Sequence, residues 1–217
     1  MTRTARVVLH GDPKTARETW MLLHGYAQSA SEMLEACSAL ASDERLLVAP
    51  EALSRFYRRG SSGPVGASWM TREAREHEIA DCIAYLDRVA QWCELESGAR
   101  GLPLNALGFS QGAATLWRWA ARGAGALTTL VAWGSGVPPD LDLGAAHDRL
   151  ARTKLVCVRG RRDPYFTSDW LAKDLVRARE ARFEFEALEF DGGHELQSEL
   201  LRDACRSGAG DGQRRDP

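Results

Sequence analysis

The sequence predicts an α/β protein with a mostly parallel central sheet and helices on both faces. Short apolar runs alternate with longer amphipathic segments along the chain, which is typical of parallel strands joined by helices. The length of 217 residues and the 44% share of hydrophobic residues fit one globular domain. We expect that domain to span residues 1–206 and residues 207–217 to form a disordered tail.

Each predicted strand is a short apolar run that stops at a polar, glycine or proline residue. Residues 46–49, for example, read Leu-Leu-Val-Ala and end at Pro50, which lacks the N–H group that a central strand needs. The predicted strands are residues 7–9, 19–23, 46–49, 104–109, 127–133, 155–158 and 183–190.

Apolar residues three or four positions apart predict the helices. In the longest one, Ile79, Ile83 and Leu86 lie on one stripe that can face the sheet. The predicted helices are residues 30–41, 72–92, 111–122, 168–179 and 195–205. Residues 54–68, rich in Arg, Ser and Gly, are predicted to form a loop.

Composition excludes several classes of function. The net charge of −2 gives no overall positive field for binding nucleic acid. No apolar run approaches the length of a membrane span, and the polar N-terminal residues do not form a secretion signal. The five scattered cysteines do not have metal-ligand spacing. We therefore expect a reduced, cytoplasmic protein without a metal; monomer and homodimer both stay open.

A nucleophile is predicted at Ser110, in the pentapeptide GFSQG at residues 108–112. This G-x-S-x-G pattern lies between an apolar run and a helix-forming run, which is the strand–turn–helix context of the nucleophile in α/β-hydrolases. Small residues two positions to either side permit the tight turn, and the N-terminus of the next helix favours developing negative charge. The alternative is an ordinary glycine-rich turn.

A serine nucleophile needs a base, and two histidines follow Ser110 in the chain. His147 lies in a long loop, whereas His194 follows a predicted strand across Asp191-Gly192-Gly193. Because sites in open α/β sheets form at the carboxyl ends of strands, we predict His194 as the base. A surface histidine in a turn is the alternative.

The carboxylate that orients the base is expected at the end of the preceding strand. Asp163 lies in the turn after residues 155–158, and Pro164 restrains the backbone there. Asp169 is a rival that better fits the first turn of the next helix. Asp191 is too close to His194 in the chain to be expected to orient it. The alternative for Asp163 is a plain Asp-Pro turn without a catalytic role.

The backbone N–H groups of Tyr26 and Gln111 are the predicted oxyanion donors, because this fold takes one from the loop after an early strand and one from the residue after the nucleophile. His24 precedes the serine and is expected to bond within its loop. Trp69, in a loop with small neighbours, is a candidate substrate-binding residue. The pairs Arg58-Arg59 and Arg161-Arg162 could bind an anionic group or form solvated surface.

These residues resemble the phospholipase/carboxylesterase family of α/β-hydrolases, which includes acyl-protein thioesterases and small bacterial carboxylesterases. The matching segments, in family order over almost the whole chain, are Leu23-His24-Gly25-Tyr26, Ala67-Ser68-Trp69, residues 108–112, residues 134–138, Gly160 with Asp163-Pro164, and Gly193-His194. The resemblance implies hydrolysis of an ester or thioester without a metal or organic cofactor. It puts the catalytic roles on Ser110, Asp163 and His194, with Tyr26 and Gln111 as oxyanion donors.

Two departures from the family pattern bear on the substrate. Tyr26-Ala27-Gln28 stands where a short aliphatic residue and glycine are usual, and the segment after Trp69 is short. Both favour small, soluble esters over lipid-modified proteins. Thioester, lysophospholipid and lactone hydrolysis stay open, and so does a hydrolase-fold protein that only binds ligands.

Overall fold

The computed structural model describes residues 4–98 and 101–206, and the predicted tail at residues 207–217 lies outside this part. The described strands are β1 (Val7–His10), β2 (Glu18–Leu23), β3 (Arg45–Pro50), β4 (Ser54–Arg59), β5 (Ser62–Ser68), β6 (Leu104–Phe109), β7 (Thr129–Trp133), β8 (Lys154–Gly160) and β9 (Glu186–Phe190). The helices are α1 (Ala30–Ala36), α2 (Arg75–Ser97), α3 (Gln111–Arg122), α4 (His147–Leu150), α5 (Ser168–Glu180) and α6 (Ser198–Ala204), with a 3₁₀ turn at Ser38–Leu40.

Seven of the described strands form one sheet in the order β1-β3-β2-β6-β7-β8-β9. Only β1 is antiparallel to its neighbour, and all other adjacent pairs are parallel. Leu23, Phe109 and Trp133 end three adjacent strands at nearly the same level. The loops that follow these carboxyl ends therefore meet at one edge of the sheet, as the predicted mostly parallel sheet requires.

Helices cover both faces of the sheet, which confirms the predicted layer order. Successive strand residues enter opposite cores. Ala106 belongs to the core that also contains residues of α2, α3 and α5, whereas Leu107 belongs to the core with residues of α1 and α6. Because both faces are covered, the central strands are continuous apolar runs rather than alternating ones. Trp117 and Trp119 on α3 are both buried in the first core.

The predicted loop at residues 54–68 is wrong, because this segment forms the antiparallel hairpin β4–β5. The long helix also begins later than predicted, at Arg75, since Ala74 has a left-handed backbone (φ 48°). It continues to Ser97 and ends where Gly98 adopts φ 60°, the usual helix C-terminal conformation of glycine.

The short helix α4 is also a correction, because the segment around His147 was predicted to be a loop. The other differences lie at the ends of elements. The predicted helix at residues 30–41 divides into α1 and the 3₁₀ turn, and the last helix and the last strand are shorter than predicted. In residues 4–98 and 101–206, no helix combines the length and the apolar character that a bilayer crossing needs. All five cysteines are buried and unpaired, and burial raises the pKa of the Cys37 and Cys93 thiols to about 12.

Candidate active site

Ser110 occupies a strained turn between β6 and α3. Its backbone has φ 53° and ψ −116°, a combination that L-residues adopt only when the surroundings hold them there. Part of that support is the hydrogen bond from the Ser110 N–H to the carbonyl oxygen of Trp133, at 2.8 Å. The turn presents the hydroxyl group above the sheet edge, at the N-terminus of α3.

Glycines flank Ser110 because the backbone passes too close for a side chain. A Cβ atom at Gly108 would lie 2.5 Å from the carbonyl oxygen of Gly112. A Cβ atom at Gly112 would lie 2.2 Å from the carbonyl oxygen of Leu23 on β2. Both contacts are to backbone, which cannot rotate away, so the G-x-S-x-G spacing is a steric requirement of this turn.

His194 lies between Ser110 and Asp163, on the loop after β9. Its Nε2 is 2.8 Å from Ser110 Oγ, and its Nδ1 is 2.8 Å from Asp163 Oδ2. Since an ionised carboxylate can only accept, Nδ1 carries the proton and Nε2 is free to accept the serine O–H. The structure thus brings together the three residues that the sequence assigned as nucleophile, base and acid.

Asp163 is held by its own turn after β8. Its side chain is 1% exposed. Oδ1 accepts the backbone N–H groups of Tyr165 at 2.8 Å and Phe166 at 3.0 Å, which leaves Oδ2 for His194. These bonds fix the carboxylate orientation without help from the histidine.

The alternative candidates for the acid and for the base, Asp169, Asp191 and His147, lie outside the Ser110–His194–Asp163 arrangement. Asp169 is exposed in the first turn of α5, and the Asp191 carboxylate accepts a hydrogen bond from Arg162. His147 Nδ1 contacts the carbonyl oxygen of Ala181 at 3.0 Å.

The two backbone N–H groups that were predicted as oxyanion donors remain open. Among the hydrogen bonds of the described residues, the N–H groups of Tyr26 and Gln111 have no acceptor. The loop around Tyr26 is nevertheless fixed, because Ala27 donates to the carbonyl oxygen of Ala67 at 3.0 Å and the Gln28 side chain accepts from Gly25 at 2.7 Å. An anion at the predicted oxyanion position could accept from both open donors.

His24 is a structural residue of this loop. It is fully buried, with Nδ1 2.8 Å from the carbonyl oxygen of Gly25, while Nε2 accepts the Ala52 N–H at 3.1 Å. Burial lowers its pKa below the ordinary 6.5, because a charged ring would lose its hydration there. The predicted bond within the loop is present, and a second bond ties the loop to the segment after β3.

Trp69 and the Gln111 side chain support the oxyanion loop, which is the loop around Tyr26 after β2. Gln111 Oε1 accepts the Trp69 N–H at 3.0 Å, and Gln111 Nε2 donates to the carbonyl oxygen of Met70 at 2.9 Å. The Trp69 indole N–H donates to the carbonyl oxygen of His24 at 2.8 Å, and the residue is 1% exposed. Its contacts support the loop from behind; substrate binding by Trp69 stays a prediction.

Two aromatic rings pack against His194, and the sequence did not indicate this arrangement. Phe109 and Tyr165 lie 4.9 and 4.8 Å from the His194 ring, measured between ring centroids. Tyr26 stacks on Phe56 of β4 at 5.4 Å. Tyr26 and Tyr165 are 60% and 71% exposed. The adjacent aromatic residues Phe56 and Tyr57, followed by the Gly-Ser-Ser-Gly segment at residues 60–63, could have indicated the hairpin that carries Phe56.

In each of the pairs Arg58-Arg59 and Arg161-Arg162, one arginine forms a salt bridge with a carboxylate. Arg58 pairs with Glu32 and Arg162 pairs with Asp191, whereas Arg59 and Arg161 are exposed. Within the described part of the chain, no group of three or more His, Cys, Asp or Glu residues is arranged to hold a metal ion.

No model of a known protein family matches this sequence, and no curated protein matches it either. Solved structures do match. Acyl-protein thioesterase 2 from Zea mays is similar, with a TM-score of 0.73, 18% identity, and 93% of this chain and 96% of that chain covered. The carboxylesterase from Mesorhizobium loti has a TM-score of 0.71 and 18% identity, over 92% of this chain and 93% of that one.

The carboxylesterase from Bacillus cereus matches with a TM-score of 0.69 and 17% identity, over 92% of this chain and 91% of the other. These likenesses cover nearly the whole of each chain, and they establish the fold. The chain therefore has the α/β-hydrolase fold, as the sequence predicted.

Proposed function

We propose that this protein is a serine hydrolase of the phospholipase/carboxylesterase family that cleaves small carboxylic esters. The observation that carries the proposal is the pair of 2.8 Å contacts joining Ser110, His194 and Asp163 at the end of the sheet. The esterases and thioesterase that share its fold lend support, although the fold alone does not determine the reaction.

In the first half of the reaction, Ser110 Oγ attacks the ester carbonyl carbon while its proton moves to His194 Nε2. The carbonyl oxygen becomes an oxyanion that accepts from the N–H groups of Tyr26 and Gln111, each worth about 2.7–4 kcal/mol by analogy with other oxyanion donors. The imidazolium is stabilised through Nδ1–H by Asp163. It then protonates the alcohol oxygen as the C–O bond breaks, which leaves an acyl-serine.

In the second half, water replaces the alcohol. His194 Nε2 removes a proton from the water as the water oxygen attacks the acyl carbon. The bond between Ser110 Oγ and the acyl carbon then breaks, Ser110 recovers its proton from His194, and the free acid leaves. His194 takes part in every proton transfer of both halves.

Turnover of p-nitrophenyl acetate tests this proposal. The wild-type protein should hydrolyse it, and Ser110→Ala should lower kcat by about 10⁶, as in other serine hydrolases. Ser42→Ala, at an exposed serine before β3, is the matched control and should keep wild-type activity. Equal activity of Ser110→Ala and wild type would exclude this mechanism, and absence of any turnover would favour a protein that only binds.

Thioesterase activity is the second candidate, because one of the structures of this fold is an acyl-protein thioesterase. The same catalytic groups can attack a thioester. Ethyl butyrate and S-ethyl thiobutyrate, which differ in one atom, separate the two: a higher kcat/KM for the oxygen ester supports the proposed carboxylesterase, and a much higher value for the thioester supports the alternative.

A further inference from the structure

We propose that Tyr165 selects the alcohol portion of the substrate and favours esters of aromatic or other flat, apolar alcohols. This inference rests on the proposed function, because it assigns a role at the same site. It starts from one contact: the Tyr165 ring meets the His194 ring edge-on, with centroids 4.8 Å apart and planes at 66°.

The chemistry decides which part of the substrate passes Tyr165. In acylation His194 Nε2 donates its proton to the leaving alcohol oxygen, so that oxygen must lie within hydrogen-bond reach of the ring, at about 3 Å. The first atoms of the alcohol are therefore placed beside His194, whereas the acyl group is bonded to the carbon that Ser110 attacks. A ring packed against His194 consequently contacts the alcohol rather than the acyl chain.

Among the described residues, two rings contact His194, and of these only Tyr165 is available to a ligand. Phe109 ends β6 and is 7% exposed, so it belongs to the core. Tyr165 is 71% exposed although its ring packs against the His194 ring. A large aromatic side chain left in water there can gain stabilisation when a substrate group covers it.

Tyr165 is also held in place before any substrate binds. Its backbone N–H donates to Asp163 Oδ1 at 2.8 Å, and the next residue, Phe166, donates to the same oxygen and is itself buried. Because the hydrogen bonds of the turn hold its backbone and the His194 ring contacts its side chain, little conformational entropy is lost when a ligand packs on it. A phenol ring offers an apolar face and no charge, which suits an aromatic alcohol better than an ionic one.

The test uses two series of esters. In the alcohol series the acid stays acetate and the alcohol changes from ethanol to benzyl alcohol, whose oxygens are of similar basicity. In the acyl series the alcohol stays p-nitrophenol and the acid changes from acetate to butyrate. Each series gives one ratio of kcat/KM values, and any general damage to catalysis cancels within a ratio.

Tyr165→Ala should lower the benzyl-to-ethyl ratio about 2- to 12-fold, the range expected for one aromatic contact. The butyrate-to-acetate ratio should stay as in wild type. Tyr165→Phe should keep both wild-type ratios, because the ring remains. Trp170→Ala is the matched control: Trp170 is an exposed aromatic on α5 without a described ring contact to His194, and both ratios should persist.

An unchanged benzyl-to-ethyl ratio in Tyr165→Ala overturns the inference, and so does an equal change in both ratios. If the wild-type protein hydrolyses esters but Tyr165→Ala gives either of these results, only the role of Tyr165 fails. If the wild-type protein hydrolyses none of the esters, the proposed function fails and this inference fails with it.

Discussion

Replacing Asp163 by asparagine should disable the enzyme while leaving the fold intact, and the hydrogen bonds around residue 163 explain why. Oδ1 accepts two backbone N–H groups, from Tyr165 and Phe166. The asparagine carbonyl oxygen must take that place, because its NH₂ group would otherwise face two donors. The NH₂ group then points at His194 Nδ1, which becomes an acceptor. The remaining proton moves to Nε2, facing Ser110, and the ring cannot accept the serine proton.

The expected loss in kcat is about 10⁴, the cost of the same tautomer error in other serine hydrolases, which corresponds to about 5 kcal/mol of transition-state stabilisation. Steady-state kinetics with p-nitrophenyl acetate measures it, and thermal unfolding checks the fold. Asp169→Asn is the control and should lose little activity, because Asp169 is exposed and Thr167 caps that helix. Near-wild-type activity of Asp163→Asn, or a disabled Asp169→Asn, would refute the reasoning.

Three further results are expected. Gly112→Ala should lower the melting temperature strongly, because its Cβ would lie 2.2 Å from the Leu23 carbonyl oxygen; an unchanged Tm would contradict the steric account. Burial lowers the His24 pKa below 6.5, the value expected in the unfolded chain. The unfolded chain therefore binds the proton more readily, and the free energy of unfolding should decrease as the pH falls below about 6.5. Urea unfolding at about pH 7.5 and 5.5 should show this fall in wild type and a smaller one in His24→Gln; equal falls would exclude His24 as the cause. EDTA should leave ester hydrolysis unchanged; activity lost to EDTA and restored by zinc would contradict the mechanism.

The sequence predicted the sheet and the positions of the catalytic candidates because both depend on local patterns. Apolar runs locate parallel strands, and Ser110, Asp163 and His194 each follow such a run within a few residues. Since the carboxyl ends of parallel strands lie at one edge, chain positions alone predict that the three side chains converge.

Contacts between distant segments could not be predicted in this way. The hairpin β4–β5 was missed because its arginines and glycines resemble a loop. Its order depends partly on two backbone hydrogen bonds, from the Ala27 N–H to the Ala67 carbonyl oxygen and from the Ala67 N–H to the Gln28 carbonyl oxygen. Tyr165 is one exposed aromatic after an Asp-Pro pair, and only the tertiary structure sets it against His194. The bonds of Trp69 to Gln111 and His24 also join distant segments of the chain, so its burial could not be predicted, and its role in substrate binding stays a prediction.

Covalent labelling tests most directly whether Ser110 is an activated nucleophile. A fluorophosphonate reacts with a serine whose proton is removed by a neighbouring base, so one adduct should form and intact mass spectrometry should record one added mass. Peptide mapping should place that mass on Ser110, and Ser110→Ala should show none. Labelling of another residue, or labelling that persists in Ser110→Ala, would contradict the account.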